Sequence, residues 1–326
     1  MDDGKTPSDR QWTMDDGIFL HRPLSIGHYP ILTHELHANL WQQQNIRLFV
    51  KRDDLLHPFV SGNKYRKLKY NLIEAKNGGY DTLVTVGGAF SNHIYATAAA
   101  GKIHEFKTIG IIRGERVEPL NSVLKFAEDC GMNLIFVSRT DYKDKAALEK
   151  KYAPTDEKKY WLPEGGTNNL AIRGCAEIMS ECEKEMQLIP DYVCVPCGTG
   201  GTATGILAGK NEKTKVVGLS ALKGEFLKKE IAALLENYRE NSLSNENGSL
   251  VQGILKDFTL NSDYVFGGYA KQTPALLNFI NDFQTRFNIP LEPIYTGKMF
   301  FGVMDLLEKK YFPAGSNIVI IHTKSV

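Results

Sequence analysis

The chain has 326 residues, and its 39 basic and 38 acidic side chains leave a net charge of +1. This balance argues against a general nucleic-acid binder and against attachment to anionic membranes by charge. No stretch approaches the roughly 20 apolar residues of a membrane span. Residues 1–17 are polar and acidic, unlike a signal peptide, and we interpret them as a mobile arm. The five cysteines, an odd number, predict reduced thiols in a cytoplasmic protein.

Strand-like and helix-like patterns alternate along most of the chain. This alternation predicts an α/β fold in which mostly parallel sheets are flanked by helices. The predicted strands are 82–86, 108–112, 134–137, 192–195, 215–221 and 318–322. The predicted helices begin near residue 64 and then cover 91–100, 120–130, 171–186, 203–208, 226–238, 273–287 and 299–309. The charged segment 141–159 is interpreted as an exposed helix or linker, and residues 241–248 as a surface loop.

The first predicted helix carries a lysine in its first turn. Gly62 and Asn63 have the character of the preceding turn, with Asn63 near the N-cap, so Lys64 follows directly. The positive end of the helix dipole disfavours an ammonium there, and partial burial acts in the same direction, toward a nucleophilic amine. The alternative is a solvated basic face shared with Arg66, Lys67 and Lys69.

A glycine-rich loop, Gly198–Thr202, lies between a predicted strand and a predicted helix. Backbone N–H groups and a helix N-terminus in this arrangement bind phosphate. The lysine of a nucleotide P-loop is absent, and Ser220 and Ala221 stand where a dinucleotide site would have an acidic residue. The loop therefore favours a single phosphate group over a nucleoside triphosphate or NAD, and a plain glycine turn is the alternative.

A second loop ends with Ser91, Asn92 and His93, directly after a predicted strand. In a parallel sheet, loops at the carboxyl ends of strands form the ligand crevice. Asn92 could donate a hydrogen bond to a ligand oxygen and His93 could act as a general base. An N-cap role for Ser91 and simple helix-start packing for His93 are equally consistent. Tyr269 and Tyr295 lie in loops near glycines, where packing is again the alternative role.

Cys194 and Cys197 have CxxC spacing, which raises the question of a redox or metal role. They close a strand instead of opening a helix, and Cys175 and Cys182 lack the spacing of a second ligand pair. Because free cysteine is among the most buried residue types, we interpret these cysteines as buried structural thiols and predict no metal site.

Five segments in this order carry a family resemblance: GNKxRKL, GGxxSNH, EGG, GTGGT and YTGK. Together they resemble the fold-type II pyridoxal-phosphate enzymes, of tryptophan synthase β-like fold. Within these the chain is similar to the 1-aminocyclopropane-1-carboxylate deaminase and D-cysteine desulfhydrase group, from about Pro23 to Thr323. The resemblance implies a homodimer whose larger α/β domain comprises residues 1–68 and 172–326. A smaller α/β domain, 69–171, would be inserted, with pyridoxal 5'-phosphate in the cleft between the two.

The same resemblance implies roles for the cofactor-binding residues. Lys64 would hold the cofactor as a Schiff base and later move the α-proton of the substrate. Asn92 would contact the phenolic oxygen of the cofactor ring. The phosphate would be bound by Lys67 and by the backbone amides of Gly198, Thr199, Gly200, Gly201 and Thr202. The remaining cofactor contacts would be Tyr295, Thr296 and Thr323.

The implied substrate site uses the same loops. Ser91 would face the substrate carboxylate or act as a nucleophile or base, and Tyr295 would stack near the substrate. Tyr269 would line the same pocket, and both tyrosines are catalytic candidates with Lys64 and Ser91. The other implied substrate contacts are Asn92, His93, Glu164 and Gly165.

Thr296 bears on the choice of substrate. The deaminases of this group have a glutamate at that position beside the pyridine nitrogen, which a threonine hydroxyl cannot keep protonated. The weaker electron sink favours β-elimination, so we predict pyruvate, ammonia and sulfide from D-cysteine or a related β-substituted D-amino acid. The alternatives are 1-aminocyclopropane-1-carboxylate deamination to 2-oxobutanoate, action on other D-amino acids, and pyridoxal-phosphate binding without turnover.

The chain departs from the group at two places. Lys324 and Ser325 replace the glycines of an HTGG segment, and Tyr95 replaces a basic residue that commonly follows SNH. We expect both changes at the rim of the pocket.

Overall fold

The computed structural model describes residues 32–324, apart from residue 156, residue 225 and residues 243–248. The side chains of residues 242, 249 and 250 are also left undescribed. The predicted N-terminal arm and most of the predicted 241–248 loop therefore lie outside the described residues.

The described residues form ten strands and eleven α-helices. The strands are β1 (Thr33–Leu36), β2 (Arg47–Arg52), β3 (Thr82–Gly88), β4 (Lys107–Arg113), β5 (Asn133–Val137), β6 (Lys159–Leu162), β7 (Tyr192–Cys197), β8 (Lys215–Ser220), β9 (Phe258–Asn261) and β10 (Asn317–His322). The helices are α1 (Asn39–Gln42), α2 (Asn63–Asn77), α3 (Asn92–His104), α4 (Ser122–Asp129), α5 (Lys145–Tyr152), α6 (Asn169–Met186), α7 (Gly201–Gly209), α8 (Phe226–Ser242), α9 (Ser249–Lys256), α10 (Pro274–Phe287) and α11 (Thr296–Glu308). Each predicted strand and helix is present, and the predicted α/β class with mostly parallel sheets is confirmed.

Two separate sheets organise the chain. The larger has the order β1-β2-β10-β7-β8-β9 and the smaller has the order β5-β4-β3-β6. All neighbouring strands are parallel except β1 and β2, which are antiparallel. The smaller sheet is built from one continuous segment, and the larger sheet from the chain on both sides of it. The domain limits given above remain a prediction.

Strand β10 shows why the larger sheet is buried on both faces. Ile318 and Ile320 pack in one apolar cluster with α10 and α11, whereas Val319 and Ile321 pack in another with α6, α7 and α8. Side chains alternate across a strand, so a continuous apolar run covers both faces. This is the pattern of a parallel sheet covered by helices on each side.

Sequence patterns missed four strands, β1, β2, β6 and β9. Three of them, β1, β6 and β9, have four residues each, too few to show a periodicity. Strand β6 begins at Lys159, at the end of the charged segment that we interpreted as a helix or linker, and α5 occupies part of that segment. Pairing with β3 therefore places β6 in the sheet through tertiary contact and not through local preference.

The start of α2 differs from the prediction by one residue. Gly62 is the N-cap, with φ of 60°, and Asn63 is already helical. A Cβ at Gly62 would lie 1.5 Å from the Thr323 carbonyl oxygen, so the close approach of the two chain segments requires glycine. Asn63 does not cap the helix, because its Nδ2 donates to Thr202 Oγ1 at 2.9 Å.

An ion-pair network fixes α2 in place. The buried Arg66 guanidinium donates to both Asp53 oxygens, at 2.5 and 2.7 Å, and to both Glu181 oxygens, at 2.9 and 2.7 Å. Burial opposes ionisation of Glu181, but Arg66 and Lys51 outweigh it and lower the pKa of this carboxyl to about 2. These contacts join α2 to the end of β2 and to α6.

We predict that Arg66→Met lowers the free energy of unfolding by about 3–5 kcal/mol, because it leaves the buried Asp53 carboxylate without its ion-pair partner. Arg47→Met is the matched control, since Arg47 forms a similar two-bond pair with Glu35 at the protein surface. We expect the free energy of unfolding of the control variant to fall by less than about 1 kcal/mol. Urea unfolding of the two variants measures the difference, and equal losses would contradict this account of α2.

Candidate active site

A cavity of about 380 Å³ lies at the carboxyl ends of strands from both sheets. Segments that follow β3, β4 and β6 line one part of it, and segments that follow β7, β8 and β10 line another. The start of α2 completes the wall. Because all these parallel strands end at the cavity, the fold brings distant loops together there, as expected for the ligand crevice of open α/β sheets.

Lys64 lies in the first turn of α2 and lines this cavity. Burial lowers the pKa of its ammonium well below the ordinary value, and the positive charges of Lys67 and Lys324 add to the effect. The neutral amine is the nucleophilic form. The geometry thus supports a nucleophilic Lys64 over a solvated basic face.

Lys67 lies one turn further along α2 and is buried, with 1% of its surface exposed. Its Nζ contacts three neutral oxygens: the Gly165 carbonyl at 3.1 Å, Thr167 Oγ1 at 2.9 Å and Thr199 Oγ1 at 3.5 Å. No carboxylate pairs with it among the described residues. Burial lowers the pKa of Lys67 to about 8, so it still carries charge at neutral pH. A buried cation of this kind favours an anionic ligand.

The glycine loop supplies the rest of an anion site. It leads into α7, whose N-cap Gly200 has φ of 82°. A Cβ at Gly201 would lie 2.9 Å from Lys67 Nζ, and one at Gly198 would lie 2.8 Å from Tyr295 Cε1. The backbone therefore approaches these side chains as closely as glycine permits. A helix N-terminus, a bare backbone loop and an unpaired lysine fit one phosphate group.

The loop after β3 brings Ser91, Asn92 and His93 to the cavity. Ser91 is the N-cap of α3, and its Oγ accepts from the backbone N–H groups of His93 and Ile94, at 3.2 and 3.3 Å. The capping role considered for Ser91 is thus real, and the side chain also lines the cavity. Asn92 Oδ1 accepts from Lys324 Nζ at 2.6 Å.

His93 is buried beside the EGG loop. Neither of its ring nitrogens has a hydrogen-bond partner among the described residues. Burial, and then the charges of Lys64 and Lys67, lower the pKa of His93 well below 6.5, so the imidazole is neutral. A Cβ at Gly166 would lie 2.7 Å from His93 Cε1, which explains the glycine there. Both ring nitrogens are themselves buried, so the protein encloses the imidazole.

Tyr269 and Tyr295 form a pair at the cavity, with ring centroids 6.0 Å apart and planes at 64°. Burial, together with Tyr269, raises the pKa of Tyr295 far above its ordinary value. Tyr295 therefore presents a hydroxyl and not a phenolate. Glu164 also lines the cavity with Gly165, and it pairs with Tyr142 Oη at 2.8 Å and with Lys145 Nζ at 3.4 Å.

Thr296, expected among the cofactor contacts, does not line the cavity. It is fully buried, and its Oγ1 accepts from Glu292 N at 3.1 Å and contacts the Lys324 carbonyl at 3.3 Å. Thr323, by contrast, lines the cavity as expected. Local helix-start geometry turns the Thr296 side chain inward, because α11 begins at this residue.

Three charged residues of the cavity wall were absent from the predicted site: Arg113, Glu292 and Lys324. Arg113 ends a predicted strand, which is a signal that could have placed it at the crevice. Glu292 caps α11, accepting from the backbone N–H groups of 294, 295 and 296 at 2.7, 2.6 and 2.7 Å. It precedes the N-cap residue Tyr295 and is not an N-cap residue itself, so the usual N-cap pattern did not indicate it.

The cysteines behave as predicted. None forms a disulfide, and Cys175, Cys182, Cys194 and Cys197 are all buried. Burial raises the pKa of Cys197 to about 12, so this thiol is not a reactive thiolate. In the described part of the chain, no cluster of three His, Cys, Asp or Glu residues is placed to hold a metal.

A family profile described as pyridoxal-phosphate dependent enzyme matches residues 25–324. The chain belongs to this family. It is 30% identical over 295 residues to the bifunctional D-cysteine desulfhydrase/1-aminocyclopropane-1-carboxylate deaminase of Arabidopsis thaliana, covering 85% of this chain and 71% of the relative. It is 27% identical to the D-cysteine desulfhydrase of Klebsiella pneumoniae, covering 85% and 86%.

A solved crystal structure of an ACC deaminase homologue has the same fold. Its TM-score is 0.75 at 29% identity, with 90% of this chain and 88% of that chain covered. The family resemblance and the pyridoxal-phosphate requirement expected from the sequence are thus confirmed. Within the described ranges, no helix has the length and apolar character to cross a bilayer.

We predict that Lys67→Gln weakens the binding of pyridoxal 5'-phosphate on the order of 10- to 100-fold, because one charge-assisted hydrogen bond to the phosphate is lost. Binding of pyridoxal, which lacks the phosphate, changes little. Titration of the apoprotein by absorbance measures both constants. Lys76→Gln, at the exposed end of the same helix, is the control. Equal losses of affinity for pyridoxal 5'-phosphate and pyridoxal would show that Lys67 does not contact the phosphate.

Proposed function

We propose that this enzyme is a carbon–sulfur lyase that converts D-cysteine, or a related small β-substituted D-amino acid, to pyruvate, ammonia and sulfide. The observation that carries the proposal is the charge arrangement around the cavity. Glu164 and Glu292 are the acidic residues on its described wall, and both are already engaged, whereas Lys67, Arg113 and Lys324 contribute positive charge.

This arrangement favours β-elimination over the opening of a cyclopropane ring. Bound pyridoxal phosphate withdraws electrons from the substrate α-carbon, and it does so most strongly when a carboxylate keeps its ring nitrogen protonated. Position 296 supplies no carboxylate, and Glu292 is held by three N–H donors. Loss of a thiolate from the β-carbon needs less stabilisation of negative charge than opening a cyclopropane ring. Relatives named as D-cysteine desulfhydrases are consistent with this choice.

The cavity residues would have separate roles in cofactor binding, proton transfer and substrate orientation. Lys67 and the Gly198–Thr202 backbone would bind the cofactor phosphate, and Asn92 the phenolic oxygen. Lys64, as a neutral amine, would accept the α-proton of the substrate at Nζ. The thiolate then leaves the β-carbon, and water converts the released enamine to pyruvate and ammonia. Ser91 lies on the same wall and would orient the substrate carboxylate.

The tyrosine pair and the imidazole complete the proposed substrate side. Tyr295 keeps its proton across the neutral pH range, so it would act as a hydrogen-bond donor beside the substrate. His93 is neutral and buried, and it would shape the substrate side of the cavity. Tyr269 is partly exposed at the mouth of the cavity, where it would cover the bound substrate.

A second candidate is deamination of 1-aminocyclopropane-1-carboxylate. The observation in its favour is that the Glu292 carboxylate lines the cavity, even though its oxygens accept backbone hydrogen bonds. If the Glu292 carboxylate also bound the pyridine nitrogen of the cofactor, the cofactor would withdraw electrons more strongly. A relative that carries both activity names makes the comparison worth testing.

We predict a visible absorption band for the purified protein, a change of that band on adding D-cysteine, and release of sulfide. Lys64→Ala loses the band and at least about 100-fold of turnover, because the attached amine and the proton carrier are removed together. Lys76→Ala is the control on the same helix. Product from the cyclopropane substrate without sulfide from D-cysteine would select the second candidate. A band without turnover of either substrate would indicate cofactor binding alone.

Further expectations from the sequence complete the proposal. The larger domain would comprise residues 1–68 and 172–326, and the smaller domain 69–171. We propose a homodimer that acts in the cytoplasm on a small amino-acid substrate. Light scattering coupled to size-exclusion chromatography tests the dimer, for which a mass near twice the 36.5 kDa of one chain is expected.

A further inference from the structure

Lys324 is anchored at both ends inside the active-site cavity. It follows β10, and its backbone carbonyl contacts Thr296 Oγ1 at 3.3 Å. Its Nζ donates to Asn92 Oδ1 at 2.6 Å, across 232 residues of sequence. The side chain is half-buried and lines the cavity. It is thus part of the built site and does not extend into solvent at the rim, where we had expected it.

The chemistry of the two groups fixes the orientation of Asn92. A side-chain amide has an accepting oxygen and a donating NH2 group, and an ammonium can only donate. Lys324 must therefore face the amide oxygen. The Asn92 NH2 group is then left free to donate elsewhere. A glycine at position 324 would have no side chain to impose this choice.

We propose that Lys324 is a positioning residue that holds the Asn92 amide with its NH2 group directed to the phenolic oxygen of pyridoxal phosphate. This inference rests on the proposed role of Asn92, and it does not depend on which substrate is used. Fixing the amide in advance removes the orientational cost of forming this hydrogen bond when the cofactor binds. The expected benefit is tighter cofactor binding.

Lys324 also affects the charge on Lys64. The ionisable groups that interact with Lys64 are Lys67 on α2, His93 on α3, Cys175 on α6, and Lys324 itself. Burial lowers the pKa of Lys324, and Glu292 partly offsets that effect. Lys324 and Lys67 both lower the pKa of Lys64. Removal of the charge at 324 therefore raises the pKa at Lys64.

Three substitutions separate the hydrogen bond from the charge. Lys324→Met removes both, Lys324→Gln keeps a donor without the charge, and Lys324→Arg keeps both. We expect the methionine variant to bind pyridoxal 5'-phosphate about 5- to 20-fold more weakly. The pH midpoint of the visible band of the bound cofactor should rise in this variant, because a positive charge near Lys64 has been lost.

The other two variants complete the test. The Lys324→Gln variant should keep most of the affinity for pyridoxal 5'-phosphate but show the raised pH midpoint. The Lys324→Arg variant should have an affinity and a pH midpoint close to those of the parent protein. A merely structural role for Lys324 would leave the pH midpoint unmoved. Fluorescence titration of the apoprotein gives the affinity, and urea unfolding confirms that each variant is folded.

Two results would overturn the inference. Unchanged affinity and midpoint in the methionine variant would show that Lys324 does not position Asn92. Tighter cofactor binding by that variant would show that the lysine side chain obstructs the cofactor. The proposed reaction is tested separately, by sulfide release from D-cysteine. If the Lys324 variants show the expected changes but the parent protein releases no sulfide, the positioning role stands and only the proposed substrate is wrong.

Discussion

The ammonium of Lys67 is buried among neutral oxygens at the point where α2, the EGG loop and the glycine loop meet. Burial of a charge without an opposite charge is costly, so this arrangement is stable only beside an anion or with a strongly altered pKa. The N-terminus of α7 faces the same space and has the same preference for negative charge. A phosphate group satisfies both. The position proposed for the cofactor phosphate follows from this constraint.

Helix α2 carries both Lys64 and Lys67, and its surroundings hold the helix in place. Arg66, between these two lysines, faces away from the cavity into buried ion pairs with Asp53 and Glu181. The Thr323 carbonyl lies against the N-cap glycine and accepts from the Asn63 N–H at 3.3 Å. The same helix thus places the Arg66 ion pairs on one face and the amine groups of Lys64 and Lys67 on the other. A nucleophile positioned by packed elements retains its geometry when the ligand binds.

Local sequence patterns predicted most of the elements and the central part of the site. Thr273 at an N-cap followed by Pro274, for example, marks the start of α10 correctly, because capping and proline geometry act over a few residues. The four-residue strands β6 and β9 were missed because their pairing partners, and not their own composition, place them in the sheets. Thr296 was assigned to the cofactor by position in a motif, yet its side chain turns into the protein where α11 begins.

The sequence by itself determined the fold class, the helix-start lysine, the glycine loop and the family, since each depends on residues that are neighbours in the chain. Only the tertiary structure decided that Lys324 reaches Asn92, that Glu292 lines the cavity while capping α11, and that His93 keeps two unpaired nitrogens. These contacts join loops after different strands. Their geometry depends on how parallel strands align their carboxyl ends, and a linear pattern carries no record of that alignment.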